Sequence, residues 1–192
     1  MASRATMTPE TALEVLKTGN ERFVAGKTTH RNLPESVRAT AAGQYPFGAI
    51  VSCMDSRVPV ELVFDLTVGD AFSLRVAGNV INADILGSLE FATKVAGAKL
   101  ILVLGHTHCG AVQGAIEGLE LGHLTGILAR IVPPASTERH PSADQVTEQN
   151  VLNAMKDIRD KSPVVKELLD SGAVCLIGGI YDVETGKARF LD

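Results

Sequence analysis

The sequence is short of cysteine, of excess basic residues and of long hydrophobic runs. Its three cysteines cannot form a complete set of disulfide pairs, which argues against a disulfide-stabilised secreted domain. Lys and Arg number 18 against 22 Asp and Glu, and they form no basic stripe that could neutralise a row of phosphates. The longest apolar runs, at 100–105 and 173–180, fall well short of the roughly 20 residues that span a bilayer. We therefore expect neither a nucleic-acid partner nor a membrane partner.

The amino terminus also lacks the features of a secretory signal. Residues 1–10 contain a basic residue but no apolar stretch behind it, so we expect a cytoplasmic protein. The 192 residues are 45% hydrophobic and 21% charged, which is typical of one compact domain spanning residues 1–192. In a reducing compartment, cysteines serve more often as ligands, nucleophiles or core residues than as bridges.

Helical and strand-like patterns alternate along the chain, which favours an α/β fold. Apolar runs at 47–53, 71–77 and 99–105 are typical of parallel strands covered on both faces. Helices are predicted from the Thr8-Pro9-Glu10 start, over 82–96 as a crossover, and near 145–159 and 163–170. Residues 133–141 form a polar, proline-bearing connection. The chain closes with an apolar strand ending near Tyr181 and a segment at 187–191, which predicts a hairpin at one sheet edge.

Two motifs carry the chemistry, Cys53-Met-Asp-Ser-Arg57 and His106-Thr-His-Cys109. Each follows a predicted strand, and the carboxyl ends of parallel strands are where sites form. His106 and Cys109 are three positions apart at a helix start and share a face, and one histidine with two cysteines suits zinc. Three protein ligands leave one tetrahedral position free, as in catalytic zinc sites.

Other interpretations of these residues stay open. Any one of them alone is more often a packing residue than a ligand. Cys175 could complete a closed, structural zinc site, but it lies inside the apolar run 173–177, which favours packing as a small hydrophobic residue.

With these motifs the chain resembles the β-class carbonic anhydrases over nearly its whole length. Three further segments match in order: Arg75-Val-Ala-Gly-Asn79, Gly87-Ser-Leu-Glu-Phe91 and residues 179–186. The resemblance implies a hydro-lyase that reversibly converts carbon dioxide to bicarbonate and a proton through a zinc-bound hydroxide. It implies one zinc ion per subunit, held by Cys53, His106 and Cys109.

The resemblance also implies an architecture. We expect a single α/β domain whose central, mostly parallel four-stranded sheet carries an antiparallel carboxyl-terminal edge strand and is flanked by helices. A homodimer or higher homo-oligomer is expected, in which residues 1–35 form a helical arm that packs on a partner subunit.

Asp55 and Arg57 match the family's catalytic pair. A carboxylate can only accept, so Asp55 could take the hydrogen bond of the hydroxide and aim its lone pair at carbon dioxide. Arg57 would keep Asp55 ionised and away from the metal; without Arg57, Asp55 could become the fourth ligand. The alternative is an ordinary surface ion pair, which contributes little.

The substrate pocket is expected to be mostly apolar, because carbon dioxide is small and apolar. By resemblance, Phe72 and Ala77 line it, Phe91 reaches it from the partner subunit, and Gly110 offers a backbone N–H to the bicarbonate oxygens. For Phe72 and Phe91, core packing is at least as good an interpretation.

Two further details bear on the type of site. Gln44, nine positions before Cys53, matches a pocket amide of plant-like members, so we expect a plant-like pocket. Some bacterial members use a tryptophan in a second, inhibitory bicarbonate site, and this chain has no tryptophan. An open zinc site is therefore expected. His108 is expected to point away from the metal.

Two other functions would preserve the same motifs. One is a zinc hydrolase of carbon disulfide or carbonyl sulfide on this scaffold, and the other is a non-catalytic, zinc-binding regulatory protein. An intact Asp55 and Arg57 argue against the second, because a structural metal does not need them.

Overall fold

A computed structural model describes residues 7–133 and 141–191 of the chain. Within them, helices and strands alternate as predicted. The elements are α1 (Pro9–Val24), α2 (Leu33–Thr40), β1 (Gly48–Ser52), α3 (Val60–Val63), β2 (Ala71–Arg75), a 3₁₀ turn (Ala77–Asn79), α4 (Ala83–Glu90), a π-helical turn (Phe91–Val95), β3 (Leu100–His106), α5 (Gly110–Ile116), α6 (Gly122–Leu128), α7 (Ala143–Lys161), α8 (Pro163–Asp170), β4 (Cys175–Tyr181) and β5 (Ala188–Leu191). Most of the predicted connection at 133–141 lies outside the described residues.

The five strands form one sheet in the order β2-β1-β3-β4-β5. The first four are parallel and β5 runs antiparallel to β4, which confirms the predicted sheet and its carboxyl-terminal edge strand. In the register of β1, Ser52 lies opposite Arg75 on one side and Leu104 on the other. The carboxyl ends of the central strands therefore lie level at one edge of the sheet.

Helices cover both faces of the sheet, and the core follows the alternation of the strands. On one face Val51 and Val103 pack with Val151 and Ile158 of α7, and on the other Ile50 and Leu102 pack with Leu16 and Phe64 of the α1–α3 side; all are essentially fully buried. All five residues of β1 and all seven of β3 are buried, which explains why these runs are continuously apolar rather than alternating.

The crossover between β2 and β3 starts where predicted and ends irregularly. Asn82 caps α4 by accepting from the N–H of Ile85 at 2.9 Å. The last turn is π-helical, with the N–H of Ala96 donating to the carbonyl of Phe91 at 2.9 Å. The predicted crossover is confirmed, although its helical period did not indicate the π turn.

Helix α1 packs on its own chain. Asn20, which is buried, donates to the carbonyls of Val63 at 3.1 Å and Gly186 at 2.9 Å, and accepts from the N–H of Ala188 at 2.8 Å. The helix is thereby tied both to α3 and to the β4–β5 turn. Packing of residues 1–35 on a partner stays a prediction. No helix within the described residues has the length and hydropathy needed to cross a membrane.

The close approach of α1 gives a test of the fold. A Cβ added at Gly19 would lie 2.0 Å from the backbone oxygen of Phe64, so Gly19→Ala must push the helix off the domain. We expect a loss of stability of about 2–3 kcal/mol, as overpacking a core typically causes, measured by chemical denaturation. Gly126→Ala is the matched control, because a Cβ at helical Gly126 meets nothing within 4 Å. Equal stabilities of the two variants would contradict this packing.

Candidate metal centre

The structure brings Cys53, His106 and Cys109 together at the carboxyl edge of the sheet. Cys53 follows β1, His106 ends β3, and Cys109 is the N-cap residue of α5. Their ligand atoms all lie within 4.8 Å of one another. The cluster is buried, since the three residues expose 4%, 0% and 5% of their surface respectively. The predicted convergence of the two motifs is therefore observed. The prediction that His106 and Cys109 share the face of one helix is wrong, because His106 is the last residue of β3 and only Cys109 belongs to the helix start.

His106 has one ring nitrogen that is engaged and one that is not. Its Nδ1 lies 2.9 Å from the carbonyl oxygen of Thr107. A carbonyl can only accept, so Nδ1 carries the proton and Nε2 presents a lone pair. Nε2 is buried, and it has no hydrogen-bond partner among the residues that the structure describes. An unpaired buried acceptor is costly, so this atom fits a metal ligand.

The two cysteine sulfurs fit the same ion. Their separation of 4.0 Å is too long for a disulfide, in which the sulfurs lie about 2.05 Å apart. Two thiolates bound to one tetrahedral zinc ion, each at about 2.3 Å, would be separated by about 3.8 Å. Two sulfurs and one imidazole nitrogen are a donor set that zinc prefers.

The two cysteine sulfurs also affect each other's protonation. The Cys109 thiol donates to Cys53, and despite the opposing effect of burial this lowers the pKa of Cys53 to about 4. The same hydrogen bond, together with burial, raises the pKa of Cys109 above its ordinary value. A lowered pKa favours the thiolate of Cys53, which is the form that binds a metal cation.

Asp55 and Arg57 lie beside this cluster as a bidentate pair. The Arg57 Nε and backbone N donate to Asp55 Oδ1 at 3.0 and 2.9 Å, and Nη2 donates to Oδ2 at 2.7 Å. These hydrogen bonds lower the pKa of Asp55 to about 2. Asp55 Oδ2 lies 3.9 Å from Nε2 of His106, beyond hydrogen-bonding distance. The carboxylate is thus adjacent to the ligands but held by Arg57.

Arg57 also joins the two motifs. Its Nη2 donates to the backbone carbonyl of His108 at 3.1 Å. His108 has a positive φ of 54°, and its ring Nε2 lies 3.2 Å from Glu184 Oε1, with 63% of the side chain exposed. The ring is therefore turned to solvent, as expected.

Sequence reasoning missed the residues that hold the first motif in place. Arg75 donates from Nε to the carbonyl of Cys53 at 3.1 Å and from Nη2 to that of Asp55 at 2.6 Å. The N–H of Gly78 donates to Cys53 Sγ at 3.3 Å, and Asn150 donates to the carbonyl of Gly78 at 2.7 Å. Arg75 lies in the segment at 75–79 that resembles the family, but the sequence did not indicate what its side chain binds. Asn150 gave no signal, because its partner is 72 positions away.

Two of the predicted pocket residues lie at the site. Ala77 precedes Gly78 in the 3₁₀ turn beside Cys53. Gly110 is the first residue of α5 and directly follows the N-cap residue Cys109.

Three other predicted pocket residues lie away from the cluster within one chain. Gln44 precedes β1 and lies near Thr40 and Val68, at the opposite edge of the sheet from Cys53. Phe72 and Phe91 contact each other edge to face, with ring centroids 6.1 Å apart, in a groove along β2 whose lining contains none of the three candidate ligands.

Cys175 is too far along the sheet to be a fourth ligand. It begins β4 opposite Leu100, at the amino edge, and packs with the α1-side core. Burial raises the pKa of its thiol to about 11, so it stays protonated. This position supports its predicted packing role.

Comparisons with known proteins agree with this geometry. The family model described as carbonic anhydrase matches residues 48–188. Carbonic anhydrase 2 of Mycobacterium tuberculosis is 37% identical over 193 residues, covering 96% of this chain and 93% of that protein. A carbonic anhydrase of Mycolicibacterium smegmatis is 34% identical, covering 94% and 92%.

Solved structures show the same fold. The β-carbonic anhydrase CafA of Aspergillus fumigatus superposes with a TM-score of 0.72 at 30% identity, covering 95% of this chain and 90% of that one. A tetrameric β-carbonic anhydrase of Sordaria macrospora superposes with a TM-score of 0.73 at 24% identity, covering 95% and 97%. These relatives favour carbon dioxide hydration over the two alternative functions. The chain belongs to the β-class carbonic anhydrase family.

Proposed function

We propose that this chain is a zinc-dependent carbonic anhydrase of the plant-like, open-site type, with Cys53, His106 and Cys109 as the metal ligands. One observation carries the proposal: three buried ligand atoms converge, while the neighbouring carboxylate of Asp55 is bound on both oxygens by Arg57. A three-ligand site leaves one coordination position for chemistry. Asp55 does not compete for that position while Arg57 holds it.

Zinc bound to these residues would supply Lewis acidity, which lowers the pKa of water in the site and so provides a nucleophile near neutral pH. Asp55 then acts on that nucleophile as a hydrogen-bond acceptor. Because its pKa of about 2 keeps it ionised, it cannot donate, and it turns the oxygen lone pair toward the substrate carbon. Arg57 and Arg75 hold Asp55 by its side chain and by its backbone carbonyl respectively.

The surroundings of the ligands suit an apolar substrate. Cys53 and Cys109 pack in a cluster with Val80, Val112 and Ile131, all of them buried. An apolar wall accommodates carbon dioxide and excludes excess water. Negative charge grows on the oxygens as bicarbonate forms, and in this proposal the N–H of Gly110, at the start of α5, stabilises that charge.

The pocket is completed in our proposal by a second copy of the chain. Gln44 and Phe91 lie away from the ligands of their own chain, so they can serve a site only across an interface. The edge strand β2 and the side chains near it support such an interface. Large hydrophobic residues are exposed there and on the neighbouring surface: Tyr45, Leu62, Val68, Phe91 and Val95. Leu33 is also exposed, which supports a partner contact for the arm at 1–35.

Substitution of the Asp–Arg pair tests the function. Asp55→Ala and Arg57→Ala should lower turnover by about 100-fold or more, the usual loss when a positioned proton acceptor is removed, while keeping bound zinc. Stopped-flow hydration of carbon dioxide and elemental analysis measure the two effects. Asp170→Ala is the matched control, because Asp170 forms another exposed Asp–Arg pair, with Arg159.

Full turnover in Asp55→Ala would contradict the assigned role. A wild-type protein that hydrolyses carbon disulfide but does not hydrate carbon dioxide would contradict the function itself.

Activity should rise with pH from mildly acidic to mildly alkaline conditions, because water in the site must lose a proton. Asp55 does not titrate in this range, since its pKa is about 2. Its lowered pKa contributes stability above the ordinary value near 3.9, and that contribution is lost only as the pH falls toward 2. The contribution of the Asp55–Arg57 pair to the melting temperature should therefore stay constant over the pH range in which turnover rises. Turnover that falls with pH would exclude this mechanism.

Mixed oligomers test the role of Gln44. Gln44→Ala should lower kcat/KM by about tenfold, the effect of one lost hydrogen bond. When Gln44→Ala and Asp55→Ala chains are mixed under conditions that exchange subunits, a site with an intact Asp55 can receive an intact Gln44 from its partner. The mixture should then exceed the mean activity of the two parents. An activity equal to that mean would place Gln44 in its own chain's site or outside any site.

A further inference from the structure

The sulfur of Cys53 accepts a hydrogen bond from a backbone turn as well as from the Cys109 thiol. The N–H of Gly78 lies 3.3 Å from Cys53 Sγ. Hydrogen bonds to a metal-binding thiolate lower the charge that the sulfur donates and fix its direction. The conformation of the Ala77–Asn79 turn therefore bears directly on one of the proposed ligands.

This turn has an uncommon backbone. Gly78 and Asn79 have consecutive positive φ angles of 65° and 44°. Asparagine tolerates this region and glycine adopts it freely, but two such residues in succession persist only where their surroundings hold them. A Cβ at Gly78 would lie 2.7 Å from Ile131 Cδ1 and 3.1 Å from Ala111 Cβ, so the turn is also closely packed.

A side chain of α7 makes a hydrogen bond to this turn. Asn150 Nδ2 donates to the carbonyl of Gly78 at 2.7 Å, and Asn150 is only 2% exposed. The amide nitrogen must be the atom that faces Gly78, because a carbonyl accepts. Most neighbouring buried positions of the helix, among them Val146, Val151 and Ala154, are apolar and belong to the core, and Thr147 is the other buried polar residue of this helix. Asn150 is thus a polar residue on a core-facing side of α7, directed at the residue that bonds Cys53.

We propose that Asn150 is a positioning residue of the metal centre: by holding the Gly78 carbonyl, it keeps the Gly78 N–H directed at Cys53 Sγ and so sets the orientation and donor strength of that ligand. This rests on the proposed zinc function. Asn150 does not touch the metal or the substrate; it acts through the turn.

The test compares two substitutions at Asn150 with one matched control. Asn150→Leu removes the donor at similar volume, and Asn150→Asp keeps the shape but replaces the donor with an acceptor. Asn153→Leu is the control, because Asn153 lies on the same helix and also donates to a backbone carbonyl, that of Val132 at 3.3 Å, away from the turn. All three are loaded with Zn²⁺ and, separately, with Co²⁺.

Zinc affinity, measured by competition with a chelator, should fall by about 10- to 100-fold in both Asn150 variants and stay unchanged in Asn153→Leu. The thiolate-to-cobalt charge-transfer band should shift to longer wavelength, because a sulfur without its hydrogen bond gives up charge more easily. A merely structural role would lower the melting temperature without moving that band.

Two results separate failure of this inference from failure of the proposed function. Wild-type affinity and an unmoved band in a folded Asn150→Leu or Asn150→Asp protein would overturn the role of Asn150. A wild-type protein that binds neither ion through thiolates would instead overturn the zinc function on which the inference rests.

Discussion

The parallel pairing of β1 with β3 is the constraint on which the metal centre depends. The proposed ligands come from segments more than fifty residues apart, and the register of these two strands brings Cys53 level with the end of β3. Both strands are buried on both faces, so a slip in register would expose apolar residues and is strongly opposed. The rigid core therefore limits how far the residues of the site can move. A catalytic metal needs this, since its ligands must stay in place without a fourth protein donor.

At the carboxyl ends of the strands, negatively charged groups lie beside positively charged ones. The pKa values of Cys53 and Asp55 are both lowered, which favours their negative forms, and the cationic side chains of Arg57 and Arg75 lie beside them. Each arginine makes contacts that the other does not: Arg57 binds the Asp55 side chain, and Arg75 binds backbone carbonyls. Asp55 is consequently held both by its side chain and by its backbone carbonyl. A freely rotating aspartate this close to a cation would be drawn to it, and the chain prevents that with directed hydrogen bonds rather than distance.

Much of this could be predicted from local pattern, and the exceptions have a common cause. The strands, the crossover helix, the hairpin and the three candidate ligands follow from hydrophobic runs, caps and residue type, all of which are readable over a few positions. Arg75, Gly78 and Asn150 could not be assigned, because their roles exist only through contacts between distant segments. The π turn at Phe91–Val95 escaped for a related reason, since a helical period over a short apolar segment does not distinguish one extra residue. Gln44 illustrates a further limit: matching a position predicts a pocket role for a residue but does not predict which copy of the chain would supply it.

The hydrogen bond from Arg57 to the backbone of residue 108 has a consequence for which side chains that position can accept. Arg57 binds the backbone carbonyl there, while the side chain points to solvent and toward Glu184. What the position must supply is a left-handed backbone, at a φ of 54°, and not an imidazole. Asparagine, aspartate and glycine meet that requirement at little cost, whereas a β-branched residue does not. Position 108, between the proposed ligands His106 and Cys109, is therefore one place where the side chain and its charge can change without loss of the hydrogen bond from Arg57.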